Sequence, residues 1–264
     1  MAAFAALAAA TVGAFFVVQH LKVTTPLING FPAPFPRTID PVAGGVCPVP
    51  NRNGVLRPVS FRRMKVSFYL QGRADDVDVY VLGSDQATRV AQIGDGVHMR
   101  VKRRHTFIWN GRLPDGSVAP DGLYYLKVAL IHQGRSFLIS NQSTGAVEPV
   151  TVLAHPAPLR VTSLTPAALT EPSTGRVTIH YTGGEGLRPH VLIYRLRPGL
   201  KPALVKHYSA TSRAGTSVWD GRLHDIPAPN GTYLIALTLT NRACTALRSP
   251  VTRAAAPQAV LTVG

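Results

Sequence analysis

The sequence is short of cysteine, of acid and of any catalytic spacing. Cys47 and Cys244 are its only cysteines in 264 residues. Without a CxxC pair, neither a zinc site nor a thioredoxin-like redox centre is supported. Asp plus Glu is 13 against Lys plus Arg at 28, a net charge of +15, and charged residues make up only 16%. A disordered acidic tail and a coiled coil are thereby excluded. Nine histidines are scattered with no HExxH, and neither a Gly-x-Ser-x-Gly elbow nor a P-loop occurs. No catalytic residue, cofactor or metal ligand is expected. Asp75, Asp76 and Asp78, and the turn acids Asp115 and Asp121, lack EF-hand spacing and read as solvated turn carboxylates rather than a calcium site.

What the chain has is apolar residues and punctuation. The hydrophobic fraction is 45%, with Gly 23 and Pro 22. Such a chain can bury a core and must turn often, and its length suggests roughly two domains. Residues 1–18 carry no charge and end in Phe15-Phe16-Val17-Val18, before Gln19, His20 and Lys22. That reads as a transmembrane or signal-anchor helix over 1–22, with a cleaved signal peptide and a buried hydrophobic element as rivals. No basic residue precedes it, so the positive-inside rule does not set its orientation. One expectation is that translation starts upstream and supplies the missing Lys or Arg. Residues 23–58 are Pro-rich and read as an extended, semi-rigid stalk, which can also pack along a neighbouring domain. Cys47 lies in it. An exported chain with two cysteines can carry one bridge, so Cys47 and Cys244 are a candidate disulfide, two unrelated thiols being the alternative.

From residue 59 the pattern becomes short alternating runs bounded by Gly, Pro, Asn and Asp. Strands are expected at 65–70, 77–82, 90–93, 99–109, 123–131, 137–140 and 150–153. A second set follows at 159–163, 176–181, 190–195, 204–208, 216–219, 232–239 and 258–263. Alternation is plain where Val77, Val79 and Val81 interleave with Asp76, Asp78 and Tyr80. The segment 154–158 separates two domains, 59–153 and 159–264. Gly183-Gly184-Glu185-Gly186 reads as a hairpin loop. The densest basic run, Arg100, Lys102, Arg103, Arg104 and His105, falls in the strand expected at 99–109. Arg100, Lys102 and Arg104 would share one face there, as a solvated surface or as a contact for anionic polymer.

The halves match directly. The first carries Trp109-Asn-Gly-Arg-Leu-Pro-Asp-Gly-Ser-Val-Ala-Pro-Asp-Gly-Leu-Tyr124. The second carries Trp219-Asp-Gly-Arg-Leu-His-Asp-Ile-Pro-Ala-Pro-Asn-Gly-Thr-Tyr233. The copies lie about 110 residues apart, near the roughly 100 residues of an Ig-type sandwich. Trp109 and Trp219 end a strand and can bury a ring between sheets. Asn110-Gly111 and Asp220-Gly221 are turn dipeptides. Pro120 with Gly122, and Pro229 with Gly231, make a second tight turn. Tyr124 and Tyr233 open the next strand, with rings buried and hydroxyls bonded.

This motif resembles that of the FlgD-type Ig-like domain, named for the flagellar hook-capping protein and also appended to exported bacterial proteins. The resemblance covers both halves, and Asn110 stands where that family usually has Asp. It implies an all-β chain of two tandem Ig-like or FnIII-like β-sandwiches, exported and without catalytic residues. Together with the N-terminal segment it suggests a single-pass cell-membrane protein with its C-terminal domains extracellular or periplasmic. The function expected is non-catalytic: a structural or binding module at the bacterial surface, its partners an anionic cell-wall polymer, a glycan or an envelope protein. Nucleic acid is not expected. The alternatives are a carbohydrate-binding or accessory module of an envelope enzyme system, or an enzyme with an unrecognised interdomain site.

Overall fold

A computed structural model describes residues 10–15, 27–30, 33–51, 53–141, 144–171, 174–212, 215–250 and 256–264. Residues 10–15 are helical, and the rest of the anchor expected over 1–22 lies outside the described residues. Among the described residues no helix is long and apolar enough to cross a membrane. Nearly all else that is regular is strand. The chain folds as two units, Met1–Arg37 with Arg63–Val152, and Thr38–Arg62 with Leu153–Gly264.

The chain begins with β1 (Ile28–Asn29), β2 (Thr38–Ile39), β3 (Val46–Pro50) and β4 (Leu56–Ser60). The first sandwich continues with β5 (Met64–Leu70), β6 (Asp75–Leu82), β7 (Arg89–Met99) and β8 (His105–Trp109). It is completed by β9 (Gly122–Leu130), β10 (Arg135–Leu138) and β11 (Val150–Val152). One sheet has the order β1-β5-β8, and the other runs β11-β9-β6-β7 with β10 also on β9. Period-2 patterning fixes which faces meet. Val77, Val79 and Val81 of β6 and Leu126, Val128 and Leu130 of β9 are buried, as are Val66 and Phe68 of β5.

The second unit repeats this plan. Its strands are β12 (Arg160–Thr165), β13 (Ala168–Leu169), β14 (Val177–Thr182), β15 (His190–Leu196), β16 (Ala203–Ser209) and β17 (Thr216–Trp219). They continue as β18 (Arg222–Leu223), β19 (Ile226–Pro227), β20 (Gly231–Thr240), β21 (Ala246–Ser249) and β22 (Val260–Val263). The sheets run β12-β14-β17 and β13-β22-β20-β15-β16, with β21 on β20 and β18 paired to β19. Val177, Ile179 and Trp219 of one sheet and Val191, Ile193, Ile235 and Leu261 of the other form one buried cluster. Both units are therefore two-sheet β-sandwiches.

Three expectations are corrected. The strand expected at 99–109 is two strands. β7 ends at Met99 and β8 begins at His105, and Lys102 adopts a φ of 57° between them. The Lys102 N–H donates to Leu70 O at 2.9 Å, so the chain is captured by the end of β5 and turns there. Arg100, Lys102 and Arg104 consequently share no strand face. Residues 183–186 close no hairpin, because β14 pairs with β12 and β17 while β15 pairs with β16 and β20. Their glycines carry the chain from one sheet to the other.

The third correction concerns the stalk, whose boundary at 58 also shifts. From Thr38 to Arg62 the Pro-rich segment belongs to the second unit. β3 and β4 pair antiparallel with Pro48 opposite Pro58 and Pro50 opposite Leu56. In an antiparallel ladder alternate residues direct N–H outward. The three prolines share that phase, so none removes a ladder bond. The buried Asp40 fixes the base. Its Oδ1 accepts from the Val42 and Ala43 N–H at 2.9 and 2.8 Å, and its Oδ2 accepts from the Thr245 hydroxyl at 3.0 Å. Cys47 and Cys244 are disulfide-bonded, with Cα atoms 6.0 Å apart. Gly45 is needed beside the bridge, since a Cβ there would fall 2.2 Å from Cys244 O.

Candidate functional site

The repeated motif builds the same corner twice. β8 and β17 lie in the three-stranded sheets, while β9 and β20 lie in the larger ones. The motif thus crosses between sheets rather than returning within one. Trp109 is 2% exposed and Trp219 1%, each tilted against the tyrosine across the sandwich, with ring centroids 5.0 Å apart for Trp109–Tyr124 and 5.7 Å for Trp219–Tyr233. A buried indole N–H needs an acceptor. Trp109 Nε1 donates to Arg112 O at 2.9 Å, and Trp219 Nε1 to Arg222 O at 3.0 Å. The first turn has Gly111 and Gly221 at φ of 70° and 67°, where a side chain would be strained. Asn110 Oδ1 and Asp220 Oδ1 each accept from the arginine N–H two residues on, both at 3.1 Å. The tyrosine hydroxyls donate to Pro120 O and Pro229 O, both at 2.7 Å. Burial pushes both tyrosine pKa values above their ordinary value, with the Asp121 charge adding to it at Tyr124. The twelve motif residues are thus brought together as two structural corners, and no proton-transfer pair is formed.

The basic run forms the turn between β7 and β8. Arg100, Lys102, Arg103 and Arg104 are all exposed there. The Arg103 N–H donates to Arg100 O at 3.3 Å. This is an exposed cationic surface on a defined backbone, suited to attracting anions.

The acids are bound up in structure. Asp75 lies fully buried at the start of β6. Its Oδ1 accepts from the N–H of His132 and of Asp76, and pairs with His132 Nδ1 at 2.9 Å. Its Oδ2 accepts from the Gln133 N–H at 3.2 Å. Burial would raise its pKa, but the bonds from His132, Gln133 and Asp76 outweigh it and hold the carboxyl below the ordinary value. Asp78 Oδ2 accepts from the Tyr80 hydroxyl, which raises that tyrosine's pKa. Asp115 Oδ1 accepts from the Ser117 N–H and hydroxyl. Among the described residues no group of three His, Cys, Asp or Glu side chains is placed to hold a metal ion.

Two features have no sequence expectation behind them. A cleft of about 850 Å³ flanks the first corner, lined by Arg63, Arg89, Arg112, Val90, Ile108 and Leu113 among others. A smaller one of about 470 Å³ flanks the second, along Leu204–His207 and beside His224 and Asp225. In the second sandwich Lys206 Nζ donates to Asp220 Oδ1 at 2.9 Å and to Arg222 O at 2.7 Å. Burial raises the Asp220 pKa, and the bond and charge of Lys206 with the Arg222 N–H more than reverse that, so it lies below the ordinary value. Arg112 was visible within the motif. Arg63 and Arg89 are brought to it only by folding.

No protein-family model matches the sequence, and no curated protein matches it. Among solved structures, a marsupial T cell receptor is similar at 13% identity with a TM-score of 0.31, over 68% of this chain and 63% of that one. A second marsupial T cell receptor chain is similar at 12% identity with a TM-score of 0.23, over 76% and 68%. Dimeric latent PorU from Porphyromonas gingivalis is similar at 11% identity with a TM-score of 0.29, over 86% of this chain and 18% of that one. Such likenesses identify neither a family nor an activity, and the chain is characterised by its own two sandwiches.

Proposed function

We propose that the chain is a non-catalytic, exported module of two tandem Ig-like sandwiches of FlgD type, carried by its N-terminal segment at a bacterial cell membrane. It faces outward and contacts anionic envelope polymers through the exposed turn of Arg100, Lys102, Arg103 and Arg104. The observation that carries this reading is the Cys47–Cys244 bridge. Disulfides persist in oxidising compartments outside the cytosol, and this one joins segments separated by 197 positions. The excess of 28 basic over 13 acidic residues supports an anionic partner, and the β7–β8 turn concentrates it in exposed side chains.

Protease shaving of intact cells tests the location, and both sandwiches are expected to be degraded without lysis. Pull-down on purified cell wall tests the contact. Binding is expected to fall steeply with salt and on replacing Arg100, Lys102, Arg103 and Arg104 together by alanine. Binding that is the same at low and high salt overturns the polymer contact.

A further inference from the structure

We propose that the cleft beside Trp109 in the first sandwich receives an extended, acidic peptide segment of a partner protein. The inference uses none of the residues of the 100–104 turn and does not depend on cell-surface location.

Strand register sets the two copies in correspondence. Tyr124 and Tyr233 hold the same place in β9 and β20. Val81 pairs with Leu126 and Ala91, and Ile193 pairs with Ile235 and Lys206. Ala91 therefore stands where the second copy has Lys206, and Asn110 where it has Asp220. In the second copy the lysine crosses the groove and is neutralised within it. In the first copy both partners are gone. What remains is an open cleft of about 850 Å³ lined by three guanidinium groups and, among the described residues, by no carboxylate. Losing a lysine beside arginines lowers local charge, but losing its aspartate removes the acid that neutralised it. The lining is left with positive charge and, among its described residues, without a carboxylate.

The guanidinia retain donors. Arg89 stacks on the Tyr80 ring, 3.5 Å from its centroid, and donates to Gln92 Oε1 at 2.7 Å. Arg112 Nη1 donates to Gly116 O at 2.7 Å. Each of these arginines spends only part of its five N–H groups on such contacts, and Arg63 has no polar partner among the described residues. Planar guanidinia held this way suit carboxylates.

The borders of the cleft select a peptide over a sugar or phosphate polymer. β7 ends one sheet and β8 ends the other, so two strand edges without a further neighbour among the described residues flank the site. An extended peptide can pair with such an edge and place alternate side chains on either side. Val90, Ile108 and Leu113 offer an apolar strip for one set, and the arginines meet the other. Among the described residues the one aromatic ring in the lining is Trp109, which is 2% exposed, so it offers no open face for a sugar to stack on.

The test is titration of the whole protein with a capped peptide of alternating glutamate and valine, and separately with inorganic polyphosphate. Salt-sensitive peptide binding is expected, with slowed hydrogen exchange at amides of β7. The double variant A91K/N110D installs the second copy's ion pair at a buried position, Ala91 being 7% exposed, so its folding is checked by thermal unfolding before titration. It should stay folded and lose affinity on the order of tenfold or more. The exposed R63E should weaken binding in the same direction. Retained peptide affinity in folded A91K/N110D overturns the proposal. So does polyphosphate binding as tightly as the peptide, or peptide binding that leaves the β7 amides unprotected. The alanine variant of the 100–104 turn should keep peptide binding, so failure of the polymer contact and failure of this site read out separately.

Discussion

The two sandwiches share a corner almost atom for atom and differ in what stands beside it. The indole bond is 2.9 Å in one and 3.0 Å in the other, and the tyrosine bond is 2.7 Å in both. Asn110 holds its turn at the same 3.1 Å as Asp220 does. A carboxylate is therefore not required by the turn, because a neutral amide oxygen serves it equally. The charge on Asp220 is required only by Lys206. What differs between the copies is separable from what folds them, and the open cleft of the first lies in the separable part. The second sandwich carries one further addition, the β3–β4 hairpin tied down by Asp40 and the disulfide.

The largest effect should fall on what is shared. Trp109→Ala and Trp219→Ala each remove a fully buried indole and its bond to an arginine carbonyl, Arg222 O keeping its bond from Lys206 Nζ, at a cost of about 3–5 kcal/mol. Chemical denaturation followed by hydrogen exchange should show the loss confined to the mutated sandwich and similar in the two. A loss in one copy several times that in the other would break the equivalence of the corners. Next in size is the disulfide. Cys47→Ala should cost about 2–4 kcal/mol, all of it in the second sandwich and its hairpin, since Cys47 and Cys244 both belong to that unit. Equal loss of amide protection in the first sandwich would show that the hairpin does not belong to the second alone.

The corner was legible in the sequence because it is local. Turn dipeptides, a tryptophan and a tyrosine within sixteen residues carry their own geometry, and Val77–Val79–Val81 spell out a strand by period alone. Residues 99–109 misled because their alternation continues through Val101 and Arg103 into Phe107 and Trp109. The bond from the Lys102 N–H to Leu70 O, which no reading of that stretch alone reveals, turns the chain there. The prolines of 46–58 argued against pairing, yet Pro48 and Pro58 fall opposite one another in one phase, which a reading of the two segments apart cannot anticipate. The cleft was illegible for a related reason. Arg63, Arg89 and Arg112 come from three separate stretches, and the absence of a lysine at position 91 has meaning only once register aligns it with Lys206.

The smallest effect isolates that one ion pair. Lys206→Met keeps the aliphatic stem and removes the ammonium. The Asp220 side chain is 52% exposed, so solvent screening limits the loss to about 0.2–1 kcal/mol at neutral pH. The sign of its pH dependence follows from Asp220. Its pKa in the folded protein lies below the 3.8 of a free aspartate. The stabilisation it brings is therefore complete above that value and is lost as pH falls through the lowered one. The gap between Lys206→Met and the parent should accordingly close as the solution is acidified below about pH 4. Asp75 obeys the same sign in the first sandwich, being likewise held below 3.8, so both copies soften in acid in the parent. Only the second should soften less steeply in the variant, read by hydrogen exchange at β16 and β17 across the acid range. A gap that persists undiminished at low pH would mean that Lys206 stabilises the corner through Arg222 O rather than through Asp220. The first copy's Ala91 would then stand for a lost backbone clamp and not for a lost charge pair.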